Sequence, residues 1–164
     1  MKQHPSSNAL PEAAGLRIAV VSSRYHDTVT SALRDGAVEA FSECGGDPAD
    51  VVSIEAPGTW ELPVLCSALL EGDEAPDAVV AIGCVIAGET SHDQHINSGV
   101  SNALAQLSIR TGVPVAFGVL TCSSMEQARA RSGGEVGNKG RESMLAAIEA
   151  VQTIRSIRTT EHAT

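Results

Sequence analysis

Short runs of consecutive apolar residues alternate along the chain with longer stretches in which apolar positions recur every three or four residues. "LRIAVVSS" (Leu16 to Ser23) is β-branched and of strand length. Leu33, Ala37, Ala40, Phe41 and Cys44 follow at helical spacing up to a Gly-Gly stop, so a strand leads into a helix. A second strand is predicted over Val51 to Ala56. After Pro57 and Gly58 a helix starts near Trp60 or Glu61, with Pro63 tolerated in its first turn. "DAVVAIGCVI" (Asp77 to Ile86) is almost wholly apolar, and a strand without polar alternation is buried on both faces, as in parallel sheets covered by helices on each side. Ile96, Val100, Ala103, Leu104 and Leu107 form the stripe of the next helix, and "VPVAFGVL" (Val113 to Leu120) is a fourth strand. "SSMEQARAR" is a short helix opening with serine and Glu or Gln at capping-box spacing, and "GRESMLAAIEAVQTIRSI" is a long final helix. Strand alternating with helix throughout predicts a doubly wound α/β fold around a parallel sheet.

Length adds that the chain, at 164 residues, has room for one domain. Residues 1–15 read as a flexible arm, 16–158 as the domain and 159–164 as a disordered tail. No apolar run approaches the roughly 20 residues of a membrane helix, so no membrane partner is expected. The first fifteen residues hold one lysine and no apolar block, neither a secretory signal nor an Arg-rich transit peptide, which points to the cytoplasm. The net charge of −9 disfavours nucleic acid and anionic lipid, both of which require a positive surface. Cys44, Cys66, Cys84 and Cys122 lie far apart in apolar surroundings, without the close pairs of a zinc or redox motif. Four buried thiols and no metal site are expected.

In such sheets ligands bind beyond the carboxyl ends of the strands. Those ends carry "SRYHD", "APGTWE", "AGETSH" and "TCSS". Of the four aromatic residues, Tyr25, Trp60 and Phe117 lie at or near them, while Phe41 belongs to a helix stripe. Clustered rings point to a flat ligand; the other reading is that Trp60 and Phe117 seal the edge of the core. In "IGCVIAGETSHDQH" the buried strand ends at Ile86, Gly88 lets the backbone turn tightly, and Thr90 with Asp93 has capping-box spacing. Unpaired amides at that helix start form an anion site, and His92 in the first turn is placed to move protons beside a bound anion. His95, one turn on, is its partner or plain surface. "RSGGEVGNKG" adds Arg131 and Lys139, charges suited to a phosphate. "GNKG" lacks the spacing of a phosphate-binding P-loop, and no G-x-G-x-x-G follows the first strand, so dinucleotide binding is disfavoured.

Taken in order, "SRYHD", "PGTWELP", "GCVIAGETSH", "TGVPVAFGVLT" and "GNKG" resemble the motifs of the lumazine synthases, enzymes of riboflavin biosynthesis, from Leu16 to Ile157. The resemblance implies a flavodoxin-like three-layer sandwich with a four-stranded parallel sheet. It implies homopentamers or icosahedral shells of twelve pentamers, active sites shared between neighbouring subunits, riboflavin synthase as a candidate partner, and no cofactor. The implied reaction condenses 5-amino-6-(D-ribitylamino)uracil with 3,4-dihydroxy-2-butanone 4-phosphate to 6,7-dimethyl-8-ribityllumazine, phosphate and water. Tyr25 and Trp60 would line the pyrimidine pocket, Phe117 would close it from the adjacent subunit, and Glu61 would bind ribityl hydroxyls. Thr59, Cys84, Val85 and Ile86 belong to the same substrate-binding set. Gly88, Glu89 and Thr90 would meet the phosphate through amides and a hydroxyl, with Arg131 added by the neighbour. His92 takes the place of the proton-transfer histidine and Lys139 that of the lysine in the matching motif, both read as catalytic.

The sequence departs from the pattern at four places. Ala87 stands where the family usually has arginine, Glu135 where many members have lysine, and "HDQHI" where histidine is followed by aromatics. "SRYHD" itself stands where Arg-Phe-Asn is usual. The alternative to the enzyme is a protein that holds lumazine or riboflavin on this scaffold without making it. Ala87 favours that alternative; His92, Glu61 and Arg131 oppose it. A purely structural shell protein would need no His92. The short link from Arg131 to Asn138 favours the icosahedral form, and the N-terminal arm would add a strand to a neighbour's sheet edge.

Overall fold

The four strands run parallel because a helix after each of the first three carries the chain back to begin the next strand in the same direction. The structure, a computed structural model, describes residues 9–89 and 91–161. Strands β1 (Ile18–Ser23), β2 (Val51–Ala56), β3 (Ala78–Ile86) and β4 (Val115–Cys122) are ordered β2-β1-β3-β4, all parallel. Helices α1 (Asp27–Glu43) and α5 (Lys139–Glu161) cover one face, and α2 (Leu62–Leu70) and α3 (His92–Thr111) the other. Successive residues of a strand point to opposite faces. Ile18, Val20, Val80 and Ile82 accordingly pack with Leu33, Phe41, Met144 and Ile148. Ala19, Val21, Val79 and Ala81 pack with Leu62, Val100 and Leu104. Eight of the nine residues of β3 are buried, as its unbroken apolar run requires. This is the flavodoxin-like three-layer sandwich.

The short helix α4 (Met125–Ala130) opens on Ser124, whose hydroxyl accepts from the Gln127 amide. Gln127 Oε1 accepts in turn from the Ser123 amide, so the capping box is closed one residue early. Between α4 and α5 lies a two-stranded antiparallel ribbon, β5 (Ser132–Gly134) and β6 (Gly137–Asn138), which the glycine-rich sequence did not announce. Asn138 then docks α5 on α1. Its Oδ1 accepts from the Arg141 amide at 3.1 Å and its Nδ2 donates to the Ala32 carbonyl at 2.9 Å. Gly140 lets the two helices approach, since a Cβ there would lie 1.8 Å from the Leu33 carbonyl oxygen.

Two terminal expectations are corrected. Residues 159–161, read as tail, are the last turn of α5; no glycine or proline stops the helix, and Thr159 Oγ1 donates to Arg155 and Ser156 carbonyls. Residues 9–15, read as flexible arm, run against the core: Ala13 is buried and donates to the Cys44 carbonyl at 2.7 Å, and Gln152 donates to the Glu12 carbonyl at 2.7 Å. The rest of the arm, with its strand-adding role, lies outside the described residues.

All four cysteines are free and buried. Burial pushes the Cys66 thiol up to about 12 and Cys84 up to about 11, and raises Cys44 and Cys122 as well, so none is a thiolate near neutrality. For Cys66 the folded state binds the proton more tightly than the unfolded one. Its contribution is complete below the ordinary value of 9.0 and is lost as pH rises toward about 12. The expected loss is about 4 kcal/mol across that window, at about 1.4 kcal/mol per pH unit. Urea unfolding from pH 8 to 12 should show a flatter pH dependence in Cys66→Ala than in the wild type, and parallel curves would contradict it.

Candidate active site

The carboxyl ends of the first three strands open on a single cavity of ≈ 470 Å³. β1 leads to Tyr25 and His26; β2 leads to Gly58, Thr59, Trp60 and Glu61; β3 supplies Cys84, Val85 and Ile86, then Gly88. His92, Asp93 and Ile96, from the first turns of α3, complete the wall.

Each wall has a local cause. Past β1 the Arg24 amide still donates to the Ala56 carbonyl of β2, and Ser23 Oγ accepts from the Tyr25 amide, so the chain turns at once. His26 takes the left-handed conformation, φ 59° and ψ 47°, at the start of α1, the only non-glycine residue with positive φ among those described. Strain of this kind persists where the surroundings over-determine it. The imidazole meets the Tyr25 ring edge-on at 4.7 Å and 69°. After β2, Thr59–Glu61 form one 3-10 turn that hands over to α2, with Pro63 in the first helical turn as expected. Thr59 is buried over Gly83 of β3, where a Cβ would come within 2.8 Å of its hydroxyl. Tyr25 and Trp60 are left 67% and 59% exposed, although most aromatic area in a folded chain is buried.

After β3 the Ala87 amide donates to the Cys122 carbonyl at 2.8 Å, which carries the sheet ladder one residue further and fixes the departure toward α3. Gly88 is not left-handed, and with nothing within 4 Å of a would-be Cβ it leaves open space at the cavity wall. Thr90 lies outside the described residues, and with it the Thr90–Asp93 capping box and the Thr90 hydroxyl. Ser91 precedes α3 without a side-chain cap. His92 is the first residue of the helix, exposed on the cavity wall.

The structure thus brings together Tyr25, Thr59, Trp60, Glu61, Cys84, Val85, Ile86, Gly88 and His92. It does not bring Phe117, Glu89, Arg131 or Lys139 to this cavity. Phe117 is 38% exposed in the middle of β4, opposite Ala81. Arg131 follows α4, its Nη1 donating to the Gln127 carbonyl, and Lys139 Nζ pairs with Glu142 Oε2 at 3.3 Å. His95 does not line the cavity either. His26, Gly58, Asp93 and Ile96 do, beyond the residues first singled out. His26 was visible in "SRYHD" as a polar residue at a strand end; Ile96 read only as part of a helix stripe. The lining holds Glu61, Asp93 and two histidines, but no arginine or lysine. An anionic ligand here needs cations that this cavity does not draw from its own chain. Among the described residues no group of three or more His, Cys, Asp or Glu could hold a metal ion, and no helix is long and apolar enough to cross a membrane.

Fold and cleft together define a parallel α/β protein with a ring-lined site at its strand ends and a histidine at a helix start. A family model described as 6,7-dimethyl-8-ribityllumazine synthase matches residues 15–155. The chain is 41% identical over 145 residues to the 6,7-dimethyl-8-ribityllumazine synthase of Thermus thermophilus, covering 88% of this chain and 92% of the relative. It is 44% identical over 144 residues to the enzyme of that name from Streptomyces coelicolor, covering 87% of each. With the one from Aquifex aeolicus it shares 40% over 146 residues, covering 89% of this chain and 94% of the relative. The chain belongs to the 6,7-dimethyl-8-ribityllumazine synthase family.

Proposed function

We propose that the cleft condenses 5-amino-6-(D-ribitylamino)uracil with 3,4-dihydroxy-2-butanone 4-phosphate, yielding 6,7-dimethyl-8-ribityllumazine, phosphate and water. The observation that carries this is the convergence of Tyr25, Trp60, Glu61 and His92, from three separate motifs, on one cavity. Nothing in the cleft favours a protein that only holds lumazine. Tyr25 and Trp60 offer faces for the pyrimidine, and the Glu61 carboxylate accepts from ribityl hydroxyls. The uracil's amine attacks the ketone and the adduct loses water to an imine. Loss of a proton from C3 and of phosphate from C4 leaves an enol that tautomerises to a new ketone at C3, and the second nitrogen closes the ring on that ketone with loss of water. His92 takes and returns the protons of these steps. Holding both substrates in one cavity supplies the orientation.

The dianionic phosphate is met by the neighbouring subunit. The wall lacks a cation and Ala87 supplies none, whereas Arg131 and Lys139 sit outside their own chain's cavity. Phe117 closes the ring slot from the same neighbour. This requires an assembly, a homopentamer or a shell of twelve pentamers, working in the cytoplasm and handing its product to riboflavin synthase. Sedimentation should therefore give about five or about sixty times the chain mass of 16.9 kDa; an active monomer would remove the shared site. The reaction itself is tested by mixing the purified protein with both substrates. Lumazine and phosphate should appear in equal amounts above the spontaneous rate, and lumazine formed no faster than in buffer would overturn the reading.

A further inference from the structure

The indole of Trp60 is the common wall of two adjoining cavities. One is the cleft of ≈ 470 Å³; the other, ≈ 250 Å³, lies between α2 and α3 and is lined by Trp60, Glu61, Pro63, Val64, Gly99, Val100 and Ala103. A side chain 59% exposed with space on both sides has little to hold it in one place. What it does touch is Gly99. A Cβ at that position would lie 2.7 Å from Cζ3 and 3.1 Å from Cη2 of the indole, well inside the ~3.5–4 Å of an ordinary carbon contact. Gly99 sits inside α3, where glycine is disfavoured relative to alanine, and its backbone is not left-handed. Conformation does not call for glycine here; room for the ring does.

We propose that Gly99 is a positioning residue for the heterocyclic substrate. Its missing side chain seats the benzo edge of Trp60 against α3, and that seat sets the width of the slot between Trp60 and the Tyr25 side of the cleft. The proposal rests on the function above in taking the uracil as the ligand. A methyl group at residue 99 must move the indole by about 1 Å to reach normal contact, toward one cavity or the other. A shift of that size at a substrate-positioning group costs up to about 100-fold.

The test is a double-mutant cycle on the full-length protein, Gly99→Ala with Trp60→Phe, whose shorter ring does not need the seat. Gly99→Ala alone should lower kcat/KM for the uracil by about 10- to 100-fold, chiefly through KM, and leave KM for the butanone phosphate in place. In the Trp60→Phe background the same change should cost no more than about twofold. Trp60 is the only tryptophan of the chain, so Gly99→Ala should also shift its fluorescence emission. Equal losses in both backgrounds, or an unmoved emission spectrum, would overturn the seat. If Gly99→Ala fails to fold and the double variant folds, the seat stands; if both fail, glycine serves the helix packing and the proposal falls. A wild type without turnover above the spontaneous rate would remove the reaction alone, leaving the emission change to decide the seat.

Discussion

Replacing His92 by alanine should lower kcat for lumazine formation by about 100-fold and leave both KM values close to wild type. A positioned proton-transfer group contributes about 100- to 10 000-fold. The low end applies because His92 is exposed at the start of α3, where water and buffer can take over part of the proton traffic. Of the polar side chains on the cavity wall, only His26 and His92 carry an imidazole, the group most often used for general acid-base catalysis. His92 belongs to the "GETSH" segment that leaves β3, whereas His26 is engaged edge-on with Tyr25. A loss in kcat without a change in KM is the mark of a group used in the transition state and not in binding. Steady-state rates of His92→Ala and His26→Ala, measured side by side, check the assignment. A wild-type kcat in His92→Ala would contradict it, and the same kcat loss in His26→Ala alone would transfer the role to the other imidazole.

The second large effect is on the fold. Gly140→Ala should destabilise the protein by about 3 kcal/mol or more, the upper range of overpacking costs. The added Cβ would lie 1.8 Å from the Leu33 carbonyl oxygen, 2.5 Å from its carbon and 2.9 Å from its Cα. These are backbone atoms inside α1, which cannot rotate away as a side chain can. Relief requires α1 and α5 to part, and between them lie Phe41, Met144 and Ile148, all fully buried. It also strains the Asn138 bridge to the Ala32 carbonyl. For a domain of this size about 3 kcal/mol lowers the thermal midpoint by roughly 10 °C. Thermal unfolding followed by circular dichroism checks it; a midpoint unchanged from wild type would show that the helices can slide apart freely.

This second effect also shows what the "GNKG" motif does within its own chain, which the sequence alone does not reveal. Its lysine drew attention as a charge for phosphate, yet within the chain the asparagine and the glycine carry the structure. Asn138 caps α5 and clamps α1, Gly140 allows their contact, and Lys139 pairs with Glu142 on the surface. No periodicity encodes a contact between residues 33 and 140. The parallel sheet was legible because β3 is an almost wholly apolar run, and β1 opens on another, which only a doubly covered sheet can bury. The apolar pattern predicts β4 over Val113 to Leu120, whereas the strand is Val115–Cys122, since Val113 and Pro114 are as apolar as the strand they precede. The ribbon over residues 132–138 was missed because glycines dominate it. Two of them, Gly133 and Gly137, take φ of 113° and 106°, a conformation that leaves no hydrophobic pattern to read.

The site divides along the same line. Residues at or shortly beyond a strand's carboxyl end, Tyr25, Trp60, Glu61 and Ile86 among them, reach the cleft because the strand carries them there. Phe117, in the middle of β4, and Arg131, after a further helix, have no such conveyance within one chain. The left-handed turn at His26 was invisible, because the residue usual at such turns is glycine or asparagine and histidine gives no signal of its own.

This chain makes lumazine and does not merely hold it. The most direct measurement is lumazine formation, followed by absorbance, with the purified protein far below the concentration of both substrates and an enzyme-free control beside it. Product in large excess over the number of chains, formed well above the control rate, is the predicted result. A rate equal to the control, with lumazine bound in proportion to the protein, would contradict catalysis and leave a lumazine-binding protein on the same scaffold.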